Sequence, residues 1–189
     1  MQTEARIQLF ARLAQSSPRR VSEASRPSAG SILSLAATSY GARPVGDATI
    51  PTGFDPAAIA LFEAIVEGAY VIANADGVFD AQERRVFERV VIAACDGTVA
   101  PNQIEAMVRA LERMLKEDGL DRRIDVIAQS LKKKDHAREV LRVAALLAHV
   151  SDAVSAVERA ALQTLASRCG LDAGEVDAAI ARAADGLGE

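Results

Sequence analysis

Aromatic residues are scarce in this chain: two Tyr, five Phe and no Trp among 189 residues. Sandwich and barrel cores rely on aromatic and β-branched side chains. The apolar half of this sequence is instead drawn from Ala, Val, Leu and Ile, a composition that favours closely packed helices. Cysteine is equally sparse. Cys95 and Cys169 have neither metal-ligand nor redox-motif spacing, and two cysteines make no secretory disulfide framework, so each reads as a small core filler in a reducing compartment. Histidine occurs only as His136 and His149. There is no Gly-rich phosphate loop after a strand and no nucleophile elbow, which argues against an enzyme. Basic charge is in the minority, with 22 Lys and Arg against 26 Asp and Glu and a net charge of -4. Nucleic acid is therefore not an expected partner, because phosphate binding needs clustered Lys and Arg. The short run Lys132-Lys133-Lys134 reads as a solvated helix end. No stretch approaches the roughly 20 apolar residues that span a bilayer, and the start lacks the charged-then-apolar order of a signal peptide. These absences predict a cytoplasmic chain that does not span the membrane.

What is present divides the sequence in two. Residues 1–53 read as an N-terminal arm: a possible short helix bearing Ile7, Leu9, Phe10 and Leu13, then a linker rich in Ser, Pro, Gly and Arg with no sustained period. An isolated helix of that length is marginal in water and would order only against a partner, a membrane surface or its own domain. Residues 54–187 carry the folded domain. Asp55-Pro56 supplies a cap and a first-turn proline, and Ile59, Phe62, Ile65, Val66, Ala69 and Ile72 follow at helical spacing. A second helix starts at Asp80 and stops at Asp96-Gly97, and a third runs from Pro101 to Asp118-Gly119. Further helices follow over Asp121 to Leu131, from a cap at Asp135, from a cap at Ser155 to Gly170, and from a cap at Asp172. The predicted architecture is an all-α, compact bundle of about seven helices with a largely disordered arm.

Two acidic connections carry the functional reading. In Asp76-Gly77-Val78-Phe79-Asp80-Ala81-Gln82-Glu83, an apolar helix runs into Asp76, and Asp80 stands three positions before Glu83 as in a capping box. A degenerate echo, Asp152-Ala153-Val154-Ser155-Ala156-Val157-Glu158, repeats the arrangement. Asp80, Glu83, Ser155 and Glu158 have a sufficient structural task as caps. Asp76 has less of one, because the C-terminal end of a helix dipole is negative and does not favour an anion. It is either a turn-forming Asx residue or a ligand. The element is no EF-hand, since no twelve-residue loop ends in Glu. Carboxylates from both elements on one surface would suit a divalent cation.

With Ala75-Asp76-Gly77 followed by Glu83, and Ala148-His149-Val150-Ser151-Asp152 followed by Glu158, residues 55 to 184 resemble the TerB family of tellurite-resistance proteins, a group that includes a domain of a DnaJ-type co-chaperone. Ala153 stands where the family commonly has Gly. The resemblance implies an all-helical TerB-like fold and no catalytic activity. It implies an acidic surface, here Asp76, Asp80, Glu83, Asp152 and Glu158, that binds divalent cations such as calcium weakly. It further implies a part in tellurite or other chemical-stress response at the inner face of the membrane, with peripheral membrane contact and a protein partner of the integral membrane class. The alternative is a metal-independent helical adaptor or scaffold.

Overall fold

The computed structural model describes residues 2–16, 31–42, 55–77, 79–150 and 153–188. These form nine helices and no strand: α1 (Gln2–Gln15), α2 (Ile32–Gly41), α3 (Pro56–Ala73), α4 (Ala81–Ala94), α5 (Pro101–Asp118), α6 (Leu120–Ser130), α7 (Lys134–Ala148), α8 (Ala156–Arg168) and α9 (Ala173–Leu187). The all-α expectation holds, with nine helices among the described residues against about seven expected in the bundle: α1 falls on the possible short helix of the arm, and α2 lies within the stretch read as linker.

Local signals account for most helix starts. Asp55 caps α3 through Ala57 N at 3.0 Å, with Pro56 in the first turn where its missing N–H costs nothing. Asp80 caps α4 and Ser155 caps α8, each with a complete capping box. Two caps read from the sequence turn out differently. Lys133, not Asp135, is the N-cap of α7, and Asp135 lies inside the first turn paired with Arg138 at 3.1 Å. Asp172 occupies the N-cap of α9 without a side-chain bond to the helix.

The centre of the bundle is α3 packed on α7. By length and composition α3 could cross a membrane, but two thirds of it (67%) is buried within the bundle, surrounded by α2, α5, α6, α7 and α8. Phe62, Ile65, Ala69 and Ile72 on α3 and Val140 and Ala144 on α7 have no exposed surface. The two helices approach closely at Gly68, where a Cβ would meet Val140 Cγ1 at 2.5 Å. Val140 is a stiff β-branched residue with no room to retreat. Replacing Gly68 with Ala gains about 1 kcal/mol of helix propensity and loses about 1–3 kcal/mol to overpacking. Gly68→Ala is therefore expected to lower the thermal midpoint; an unchanged or raised midpoint would show that α7 yields freely.

The N-terminal helices complete this core. On α1 the buried face is Ile7, Phe10, Ala11 and Ala14, with Leu9 and Leu13 half-buried at its edges. On α2, Leu33, Ala36, Ala37 and Tyr40 follow the same i, i+3, i+4, i+7 spacing, and the Tyr40 ring packs 4.8 Å from that of Phe62. Tertiary burial, not intrinsic propensity, holds helices of 14 and 10 residues in place. The remainder of the stretch read as linker, residues 17–30 and 43–53, lies outside the described residues, as does Phe54 at the expected start of the domain.

Buried ion pairs brace the periphery. Arg123 on α6 donates from Nε to Glu67 of α3 at 2.7 Å and from Nη1 to Asp118 at the end of α5 at 2.9 Å. Burial pushes the Glu67 carboxyl above its ordinary range, and the Arg123 guanidinium opposes this without cancelling it. Cys95 is buried and its thiol is pushed up to about 12, as expected of an inert core filler.

Candidate functional site: two acidic helix connections

The first connection leaves α3 through a tight turn. Asn74 is the C-cap, its side chain donating to Tyr70 O at 2.8 Å, and Gly77 N donates to Asn74 O at 3.0 Å. Gly77 has φ +76, a conformation open to glycine and strained for residues with a Cβ. The turn leaves Asp76 exposed. The chain is then pinned by Phe79, whose ring packs edge-on against Tyr70 at 5.6 Å and against Phe87 at 6.1 Å. Tyr70 and Phe87 meet at 5.7 Å, closing a three-ring cluster beneath the connection.

Asp80 and Glu83 then engage each other's backbone. Asp80 Oδ1 accepts from Gln82 N at 2.6 Å and Glu83 N at 2.9 Å, while Asp80 N donates to Glu83 Oε2 at 2.8 Å. Asp80 is exposed and Glu83 half-buried. Each has one carboxylate oxygen committed to the helix start, which leaves the other to face solvent, a cation or a partner.

The second connection repeats this box in a more enclosed setting. Ser155 N donates to Glu158 Oε2 at 2.8 Å, and Glu158 N donates to Ser155 Oγ at 3.2 Å. Unlike Asp80 and Glu83, Glu158 is only 6% exposed and is not a surface acid. Burial pushes its carboxyl upward; the bonds from Ser155 oppose this, the Asp76 carboxylate adds to it, and His149 opposes it. Asp76, far from Glu158 in sequence, is thus near enough to add a repulsion to it, smaller than the effects of burial and of the Ser155 bonds. Asp152 lies outside the described residues. His149, the buried C-cap of α7, offers its carbonyl to Arg6 Nη2 of α1 at 3.0 Å.

Among the described residues, no group of three or more His, Cys, Asp or Glu side chains gathers closely enough to hold a metal ion. Of the acids named from the sequence, Asp80 and Glu83 are adjacent through their capping box, and the Asp76 carboxylate acts on Glu158 only as one of the lesser influences on its carboxyl. Two contacts of the site have little or no sequence signature: the Phe79 anchor and the bond of Arg6 to the second connection. A lone Phe inside an acidic turn was a usable signal for the first; nothing local announced the second.

Fold and site together define a class: an all-helical bundle whose two central helices, α3 and α7, each lead through a short connection into a helix started by a complete capping box. Comparison with protein-family models, with curated proteins and with solved structures finds no match for this chain.

Proposed function

We propose that the chain is a non-enzymatic, TerB-like binding module of the tellurite or chemical-stress response. In this reading the acidic surface around Asp76 binds a divalent cation weakly, calcium foremost, or receives a protein partner of the integral membrane class at the cytoplasmic side of the membrane. Asp80, Glu83, Asp152 and Glu158 complete the acid set. What supports the reading is that the Asp76 carboxylate of the first connection adds to the upward push on the Glu158 carboxyl of the second, behind the larger effects of burial and the Ser155 bonds. Two electrostatically separate acid pairs would be ordinary capping, and a field common to Asp76 and Glu158 is what distinguishes one site from two. Calcium takes about six to eight oxygens, so water or a partner must complete the shell, in keeping with weak binding.

A second reading, the metal-independent adaptor, is favoured by the completeness of both capping boxes. Asp80, Glu83 and Glu158 each have a full structural task. Titration calorimetry of the chelator-treated full chain with calcium, magnesium, manganese and zinc separates the two. The cation reading predicts saturable binding that is lost in Asp76→Asn/Asp152→Asn and weakened in Glu158→Gln, where the amide oxygen can still accept from Ser155 N. No heat from any ion with the fold intact assigns the chain to the adaptor reading. Asp76→Asn alone is expected to change stability by less than about 0.5 kcal/mol, whereas Asp80→Ala removes a cap and loses about 1 kcal/mol in urea denaturation.

A further inference from the structure

The attachment of α1 and α2 to the bundle has a feature that plain core packing does not require. Glu139 and Arg142, one turn apart on α7, form a two-pronged ion pair, with Arg142 Nε and Nη2 each 2.9 Å from a Glu139 oxygen. Glu139 is 2% exposed. Each member also reaches a helix end. Arg142 donates to Leu13 O at 2.8 Å and Ala14 O at 2.6 Å, carbonyls of the last turn of α1, while Glu139 Oε1 accepts from Leu33 N in the first turn of α2 at 3.3 Å. The cation therefore faces the negative end of one helix dipole and the anion the positive end of the next, the favourable sense at both. Gln15 adds a bond to Ala94 O of α4 at 3.2 Å.

Beneath α1 and α2 lies an apolar groove of α3, α4 and α7, lined by Ile65, Val66, Val90, Val91, Val143 and Leu147, with a small void of about 10 Å³ left where Ala14 and Leu33 cover it. The strap is joined to the bundle through residues 43–54, a stretch with two Pro and two Gly, and its own two helices are joined through the Ser- and Arg-rich residues 17–30. Neither helix is long enough to persist alone. Arg6 to His149 O, Gln15 to Ala94 O and Glu4 to Arg89 tie α1 alone, whereas Glu139–Arg142 is the one ion pair that engages both helices, and it does so at backbone groups of their ends.

We propose that α1 and α2 form a self-bound strap that leaves as a unit, with Glu139–Arg142 as its clasp. Release uncovers a groove whose end charges and apolar lining fit an amphipathic helix pair, and in the closed state the chain's own α1–α2 pair fills it. The strap thus belongs to the low-stability end of the molecule although its side chains are buried, and the clasp sets how often it opens.

Hydrogen–deuterium exchange on the full chain tests this. Glu139→Gln/Arg142→Met removes both charges together at similar volume, leaving no uncompensated buried ion. Amides of α1 and α2 are expected to exchange about tenfold faster or more than in the wild type, with those of α3, α4 and α7 unchanged. Glu139→Gln alone, which keeps an acceptor for Leu33 N, is expected to fall between the two. As a control, Arg138→Gln, which breaks the pair between α7 and Glu175 of α9, should leave the strap unaffected. The proposal is overturned if α1 and α2 keep wild-type exchange in the double variant, or if α3, α4 and α7 accelerate equally, which would make the strap part of one cooperative core.

Discussion

Arg123→Met is expected to lower the free energy of unfolding by about 3–5 kcal/mol near pH 7, measured by urea denaturation. The size follows from what the substitution leaves behind. Glu67 is 9% exposed, and Arg123 is its charge partner. Burial already holds the Glu67 carboxyl above its ordinary range, so removing Arg123 takes away the main influence that lowers it and raises it further. A carboxyl whose folded pKa is raised is bound to its proton more tightly in the folded state than in the unfolded one. Its favourable contribution is present at low pH and lost as pH rises through the folded value. The deficit of the variant should accordingly shrink as pH falls from about 7 to about 5. Glu67→Met/Arg123→Met, which removes both charges, should recover most of the loss. A deficit that is flat with pH, or a double variant no better than the single, would show that packing of the Arg123 stem matters more than its charge.

Phe87→Ala is expected to lose about 3–5 kcal/mol, since it removes a fully buried ring from the core. Its second consequence is local to the acidic site. Phe87 and Tyr70 are the two rings against which Phe79 is seated, and Phe79 fixes the path between Asp76 and the cap at Asp80. With that seat half gone, the amides of Gln82 and Glu83, held by Asp80 Oδ1, should exchange faster than those at the start of α8, which have their own box. Equal protection of the two helix starts in the variant would mean that the capping box alone sets the loop.

The contrast between what sequence showed and what it hid follows the range of the forces. Helices α3, α4, α5 and α8 announce themselves because their starts are encoded within four residues: Asp55-Pro56, Asp80 with Glu83, Pro101, and Ser155 with Glu158. The buried stripes of α3 and α9 were legible for the same reason, as periodic apolar positions. Helices α1 and α2 are stabilised by residues more than a hundred positions away, Glu139 and Arg142 on α7, and by burial against Phe62 and its neighbours. Nothing near Ser31 or Tyr40 reports that support, and the surrounding Ser, Pro and Gly mask a ten-residue helix. At the site, the two capping boxes were readable as local patterns. The coupling of Asp76 to Glu158, and the burial of Glu158, arise from the packing of the bundle and have no local signature.

The central claim is that the two acidic connections act as one electrostatic site. It is tested most directly by titrating the Glu158 carboxyl carbon by NMR in the chelator-treated protein, in Asp76→Asn, and in the wild type with calcium. The account predicts a raised midpoint for Glu158 that falls when the Asp76 charge is removed and falls again when calcium is added. A midpoint indifferent to both changes would mean that the connections are two independent helix caps and that no shared site exists.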